Sequence, residues 1–377
     1  MKTVVCANLA VLVWGAGVVR AEVTITMRGG EKPPTGAVTG VDASGVAVDV
    51  AGAGAEKVER VVLSWDRVAA VDGMDAAGQF AGIAETAWRA RTRLARGDAP
   101  GAEPLLESLF TKYEGQRGAT AGVVASGLLR CRLTRQAQAA AVRPWLALVA
   151  SGEKEVVFDT PQLVADGIVV PAMVDAETGL APALPPIWIE SPAVEAMVAS
   201  SVSGGNADSS GKRAAVLGEL YRQSAAATMG RKVSLPARPA DDAGAALVWD
   251  VVAATAGTKE ERAAARGALA ARLSDEAGLP PQWMEAWCRV ALGRSLVMDG
   301  DSEERLRGLV HLVHVPARLE QVSPYLAGVA LVDVARAVER SGDADGAARV
   351  WRELAEKFPG HPALSLRGVM DTTGGGL

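Results

Sequence analysis

The chain has 377 residues, 39 of them basic and 44 acidic, for a formal net charge of −5. That mildly acidic balance argues against general nucleic-acid binding, which needs a basic footprint. Apolar residues make up 49%, enough to core two or three domains, and past Val19 no apolar run reaches the roughly 18 residues that suggest a membrane span.

Lys2 opens the chain with a positive charge, Val4 to Val19 carry none, and Val19-Arg20-Ala21 place aliphatic or small residues at the −3 and −1 positions. This layout predicts a secretory signal peptide, residues 1–21, cut between Ala21 and Glu22. An uncleaved anchor is the rival, although the run is short of the roughly 20 residues of a membrane span; any membrane association would go through it. Cys6 lies inside the run rather than at its end, which argues against a lipidated cysteine. Cleavage would remove Lys2 and Arg20, take the net charge from −5 to −7, and deliver the chain to the periplasm or the exterior. Two cysteines remain, Cys131 and Cys288. A single pair so far apart is not a disulfide framework, and their helix-like apolar contexts predict two buried free thiols, with pairing left open.

Residues 22–75 read as β. Val23, Ile25 and Met27 alternate with Thr24, Thr26 and Arg28 at the period of a half-buried strand. Gly29-Gly30 and Pro33-Pro34 interrupt the pattern. Val38 to Val41 and Val46 to Val50 flank the turn signal Asp42-Ala43-Ser44-Gly45, and Val58 to Trp65 forms a further run. In strand spacing and turn placement the segment resembles a small SH3-like or Sm-like barrel. Peptide-reading SH3 domains have an aromatic-lined groove, whereas Trp65 is the only aromatic here, so the resemblance implies a capping or adaptor domain.

From residue 79 the period becomes helical. Ala102, Leu105, Leu106, Leu109, Phe110 and Tyr113 share one face. Near the other end Ala347, Val350, Trp351, Leu354 and Phe358 repeat this spacing. The two stretches align without gaps: Gly97, Asp98, Ala99, Gly101, Ala102, Leu109, Lys112 and Gly115 match Gly342, Asp343, Ala344, Gly346, Ala347, Leu354, Lys357 and Gly360. That is an internal repeat. A weaker copy surrounds Gly300-Asp301, with Leu292, Gly293 and Leu296 before the turn and Leu306, Leu309 and Val313 after it. The unit resembles a tetratricopeptide repeat, a helix–turn–helix of about 34 residues. In the last copy Leu331, Val334, Ala335 and Val338 match the first-helix positions, Ala347 and Trp351 the second-helix positions, and Pro359 the terminating proline. Leu354 stands where the family prefers Ala, and Arg89 and Arg93 stand at usually apolar positions. The resemblance implies stacked hairpins that share an elongated core and present a binding surface to a protein or peptide.

The expected organisation is a β-barrel-like domain over 22–75, helical hairpins over 79–150, and a Pro-rich crossing segment and linker over 151–211. Helical repeats over 212–366 and a flexible tail over 367–377 complete it. Within the crossing segment, prolines exclude a long helix over 155–192, Asp175 to Gly179 reads as a turn, and Ile187, Trp188 and Ile189 are expected to pack along the helices. Helices are predicted at 212–229, 243–256, 259–277 and 282–298. The fold class is mainly α, a degenerate helical-hairpin array with a small N-terminal β-barrel.

The search for chemistry assigns no catalytic, cofactor-binding or metal-ligating residue. Gly204-Gly205 and Gly211-Lys212-Arg213 depart from a phosphate loop in spacing and lack its hydroxyl. His311 and His314 lie one helical turn apart, but a catalytic zinc needs about three protein ligands, and their apolar neighbours predict core or boundary positions. His361, after Pro359-Gly360, reads as a capping or surface residue. Glu260-Glu261 and Glu303-Glu304 begin helices, where acids are favoured electrostatically. Trp283 and Trp287 read as core. The sequence therefore predicts an exported interaction or scaffold protein. The alternative is an envelope hydrolase with carboxylates assembled from distant hairpins.

Overall fold

The computed structural model describes residues 23–51, 58–156, 158, 172–199, 208–274 and 280–365. The predicted signal peptide and tail, and most of the Ser/Gly-rich linker, lie outside these residues. The chain forms two compact units. Among the described residues, one comprises those within 23–134, 143–172 and 208–212; the other comprises those within 135–142, 173–199 and 213–365.

In the first unit, β1 (Thr24–Met27) pairs antiparallel with β5 (Val68–Asp72), while β2 (Gly36–Asp42), β3 (Gly45–Ala51) and β4 (Val58–Leu63) form an antiparallel meander. The alternation read in the sequence has its expected consequence, since Ile25 and Met27 are buried. Asp42 pairs with Gly45 across the β2–β3 turn, and its carboxylate accepts hydrogen bonds from the Ser44 and Gly45 amides at 2.7 and 3.2 Å. Residues of both sheets close on one core that includes Val46, Val48, Leu63, Trp65, Val68 and Val71, and Ala77 and Ala84 join it. Trp65 stacks on Phe80 at 4.9 Å and donates from its indole to the Asp42 carbonyl at 2.9 Å.

Three helices follow in this unit, α1 (Ala81–Ala95), α2 (Ala99–Tyr113) and α3 (Ala119–Thr134), each packed on the other two. The predicted α2 face is the buried one: Ala102, Leu106, Leu109, Phe110 and Tyr113 lie in the core. Tyr113 donates its hydroxyl proton to the Ala43 carbonyl at 2.8 Å, and Thr120 donates to the Ser44 carbonyl at 2.7 Å, so the β2–β3 turn is held by helical side chains. α4 (Gln138–Ser151) has residues in both units.

The second unit is helical. It contains α5 (Pro192–Ala199), most of α6 (Ser209–Thr228), α7 (Ala243–Ala256), α8 (Lys259–Leu273), α9 (Gln282–Asp299), α10 (Ser302–Arg318), α11 (Pro324–Arg340) and α12 (Ala344–Lys357). Sequence-adjacent helices pack as hairpins from α7 onward, and α9 also contacts α7 and α11. The molecule is thus mainly α with a small N-terminal antiparallel β part.

The repeated Gly-Asp has a local physical cause. Gly97 and Gly342 have φ of +77° and +91°, a conformation open to glycine at little cost. In each, the Gly amide bonds the carbonyl three residues back (Leu94, Glu339) and the Asp amide the carbonyl five back (Arg93, Val338). This is the Schellman closure of a helix. The same Asp then caps the next helix: Asp98 accepts from the Gly101 amide at 2.9 Å and Asp343 from the Gly346 amide at 2.7 Å. A Cβ on Gly101 or Gly346 would come within 2.3 or 2.2 Å of that carboxylate, which accounts for the second repeated glycine. Arg93, out of place in an apolar pattern, pairs with Asp98 at 2.6 Å.

The weaker copy departs from expectation. Gly300 does not take a positive φ, and Asp301 instead forms a capping box with Glu304. The face assigned to it from Leu306, Leu309 and Val313 is not the buried one. Gly308, Leu312, Val315 and Pro316 are buried, while Leu306 is 63% and Val313 47% exposed. The cause is a close approach of α9 and α10 at two glycines. A Cβ on Gly293 would lie 2.9 Å from the Gly308 carbonyl oxygen, and one on Gly308 would lie 2.8 Å from that of Gly293. Backbones this close fix the rotation of α10, turning Leu306, Val310 and Val313 outward.

Two substitutions test this account. Trp351 is buried at 6% exposure, so Trp351→Ala should cost roughly 3–5 kcal/mol through cavity formation, measured as a shift of the denaturant midpoint. Asp343→Ala removes only the cap and should cost about 1 kcal/mol; equal losses in the two variants would refute the division of roles.

Candidate functional site

The part of the second unit that organises a site is not a helix. Asp175 folds a turn, its carboxylate accepting from the Thr178 amide and hydroxyl at 2.8 and 2.7 Å, and Gly179 closes it at φ +64°. The chain then runs without helix or strand from Leu180 to Ser191. Leu180, Leu184, Ile187, Trp188 and Ile189 are buried. Pro182, Pro185 and Pro186 have no amide proton and oppose a helix, yet buried carbonyls must find donors. Helical side chains supply them. Trp287 donates to the Pro182 carbonyl at 3.0 Å, Tyr221 to Leu184 at 2.5 Å, Ser224 to Pro186 at 2.5 Å, Tyr325 to Ile187 at 3.0 Å, and Arg294 to Trp188 at 3.3 Å. The segment is a strap tied to α6, α9 and α11. The packing expected of Ile187-Trp188-Ile189 is present; the ties were not legible in the sequence.

Beside the strap opens a cleft of about 560 Å³, with Ile187, Ile189, Val251, Val297, Met298 and Leu312 among its apolar lining. A second depression of about 530 Å³ shares Val297, Met298 and Arg340 with it and continues past Leu306 and Leu309 of α10. Arg294 is fixed in the cleft by two contacts to Asp333, 2.5 and 3.3 Å. Glu190 and Glu339 also line the cleft. The hydroxyls of Ser224, Thr228 and Thr255 donate to backbone carbonyls of Pro186, Ser224 and Val252. No histidine or cysteine is among the described lining residues. The lining thus combines an apolar trough with an arginine already paired to Asp333 and hydroxyls already bonded to backbone carbonyls.

The titratable residues singled out by the sequence lie elsewhere. His314 Nε2 is 3.3 Å from Glu285 Oε1, Arg289 donates to the same oxygen at 2.7 Å, and Arg289 Nη1 is 3.4 Å from His311 Nδ1. The two histidines therefore belong to a half-buried network with Arg289 and Glu285. Burial first, and then the Arg289 charge, lowers the pKa of both. Among the described residues no group of three or more metal-ligating side chains assembles. His361 is a buried loop residue rather than a surface one. It stacks on Tyr325 at 5.4 Å, its Nε2–H donates to the Tyr325 carbonyl at 3.0 Å, and its Nδ1 accepts from the Ala363 amide at 3.2 Å. Gly328 leaves room for the ring, since a Cβ there would meet it at 2.5 Å. Burial lowers the His361 pKa. Cys131 and Cys288 are free and buried, and burial pushes both thiols up to about 12, which keeps them protonated and poorly nucleophilic. Glu261 and Glu304 cap helices by accepting from the Thr258 and Asp301 amides.

The ties of the strap make a sharp prediction. The Tyr325 hydroxyl is buried, so Tyr325→Phe leaves the Ile187 carbonyl without its donor and should cost about 1–3 kcal/mol, measured by chemical denaturation; no loss would show the strap carbonyl finds another donor.

The histidines make a second. Each of the three has a folded-state pKa below the ordinary 6.5, so between the two values the unfolded chain binds more protons. Their contribution to stability is present above about pH 6.5 and is lost as pH falls through the folded values. Thermal midpoints should fall on acidification through this window, and His361→Gln should flatten the fall; an unchanged slope would show that His361 does not carry it.

No family model matches the chain, and neither a curated protein nor a solved structure does.

Proposed function

We propose that the chain is a non-enzymatic interaction protein that holds a segment of a partner polypeptide against the α9–α10–α11 face of its helical unit. The observation that carries this reading is the outward row Leu306, Val310 and Val313, beside the exposed Met298 and continuous with the clefts along the strap. Large apolar side chains gathered on one exposed face mark interaction surfaces. The Gly-Asp hairpins support a degenerate tetratricopeptide-like reading, in which such faces receive polypeptides. The β part takes the role of an adaptor. Lys2, the uncharged run to Val19 and the Val19-Arg20-Ala21 boundary support export to the cell envelope.

The hydrolase alternative would draw on Glu190, Asp333 and Glu339 in the cleft. Asp333 is already committed to Arg294, which favours binding over acid–base work.

The test is selection of peptides from a displayed library of envelope-protein fragments on the purified chain, followed by Leu306→Glu/Val310→Glu. Both positions are exposed, so the double variant should stay folded, surface changes usually altering stability by no more than about 0.5 kcal/mol. Selected peptides should lose affinity by about tenfold or more, equivalent to about 1.4 kcal/mol. Unchanged affinities would remove this face from the reading.

A further inference from the structure

We propose that the ligand of this face is an acidic amphipathic helix of a partner protein. The inference rests on the partner-binding reading above and adds the form and charge of what is bound.

The form follows from the face itself. Leu306, Val310 and Val313 stand at i, i+4 and i+7 of α10, and Ala317 continues the row as an exposed residue. From Leu306 to Ala317 the row is about 16 Å long at 1.5 Å per residue, the length of about three helical turns. Rows at this spacing are the ridges that a second helix packs against, at interaxial distances of about 8–10 Å. Leu309 and Met298 line the depression alongside, so an apolar stripe laid there gains contacts on two sides.

The charge follows from the arginines. In the neighbouring helices Arg262, Arg266, Arg289 and Arg294 are each paired with a carboxylate. Arg305, Arg336 and Arg340 are in no ion pair among the described residues; Arg336 and Arg340 line the larger cleft, and Arg305 and Arg340 the smaller depression. Glu190 and Glu339 line the larger cleft. The depression next to Leu306 is different: Arg305 and Arg340 line it and no described carboxylate does, while the exposed Glu303, on the other side of Leu306, lies 4.0 Å from Arg307. On a chain of net charge −5, an apolar trough edged by two uncompensated guanidinium groups selects acidic flanks. The adjoining cleft offers a further group, since the Trp188 indole N–H is buried with no acceptor among the described residues. A buried donor left unmet carries a desolvation cost, which a carbonyl of the ligand would relieve.

The test uses the purified full-length chain and three probes. One is a labelled synthetic helix with leucines at alternating spacings of three and four and glutamates on both flanks. The second carries lysines in place of those glutamates, and the third is a vesicle of anionic phosphatidylglycerol. The glutamate peptide should bind about tenfold or more tightly than the lysine peptide, and should weaken as ionic strength rises from about 0.05 to 0.5 M and charges are screened. Arg305→Glu/Arg340→Glu should reverse the preference, weakening the glutamate peptide and strengthening the lysine peptide. That gain cannot come from a misfolded variant.

Equal binding of both peptides, each lost in Leu306→Glu/Val310→Glu, would overturn the charge inference and leave the partner-binding reading standing. Binding of the glutamate peptide unaffected by either double variant would place it elsewhere and overturn both. Binding to vesicles with neither peptide retained would make the face a membrane-contact surface and also overturn the proposal, as would retention of no probe at all.

Discussion

A proline-rich segment in a protein interior poses a problem of unmet carbonyls, and the helical unit is arranged around its solution. Between Leu180 and Ile189 the chain runs without helix or strand and is buried except at Pro182 and Ala183, so each carbonyl turned inward needs a donor from outside the segment. Tyr221 and Ser224 on α6, Trp287 and Arg294 on α9, and Tyr325 on α11 meet that need. Three helices are thereby referred to one strand of chain, and the cleft is the space left along its side. Arg294 illustrates the economy of the arrangement, holding the Trp188 carbonyl and Asp333 at once. Tyr325 does likewise, its hydroxyl on the strap and its carbonyl on His361, so the loop after α12 is connected to the strap through one residue.

The second constraint is the contact of Gly293 with Gly308. Two helices joined by a short turn normally face each other through side chains, but here the backbones meet, and neither position has room for a Cβ. Rotation of α10 is decided at that point. Leu312 and Val315 go inward and become wholly buried, while Leu306, Val310 and Val313 are left facing out. The exposed face is thus a consequence of packing, and the depression along one of its edges is lined by Arg305 and Arg340.

Much of the local structure follows from short-range chemistry alone. Gly97-Asp98 and Gly342-Asp343 close one helix and cap the next by the same pair of devices, a left-handed glycine and a carboxylate on the third amide. Neither device needs information from a distant residue. The strand period at Ile25 and Met27, the Asp42 turn and the apolar face of α2 are equally local, because a period of 2 or 3.6 only has to be completed by some core.

The sequence by itself determined the approximate extent of several helices, such as 243–256 and 282–298, the division into a short β part and a long helical part, and the non-helical character of the prolines around Trp188. It also identified Cys131 and Cys288 as buried thiols. Only the tertiary structure decided which face of α10 is buried, because Leu306, Leu309 and Val313 satisfy a helical period as well as Leu312 and Val315 do, and a glycine contact between helices chooses between them. It likewise decided that His361 is interior, and that Arg305 and Arg340 meet at one depression while Arg294 is neutralised by Asp333. Periodicity records that a residue has a face; which partner meets that face depends on side chains far away in the chain, and for the strap and the trough those partners are brought together only by folding.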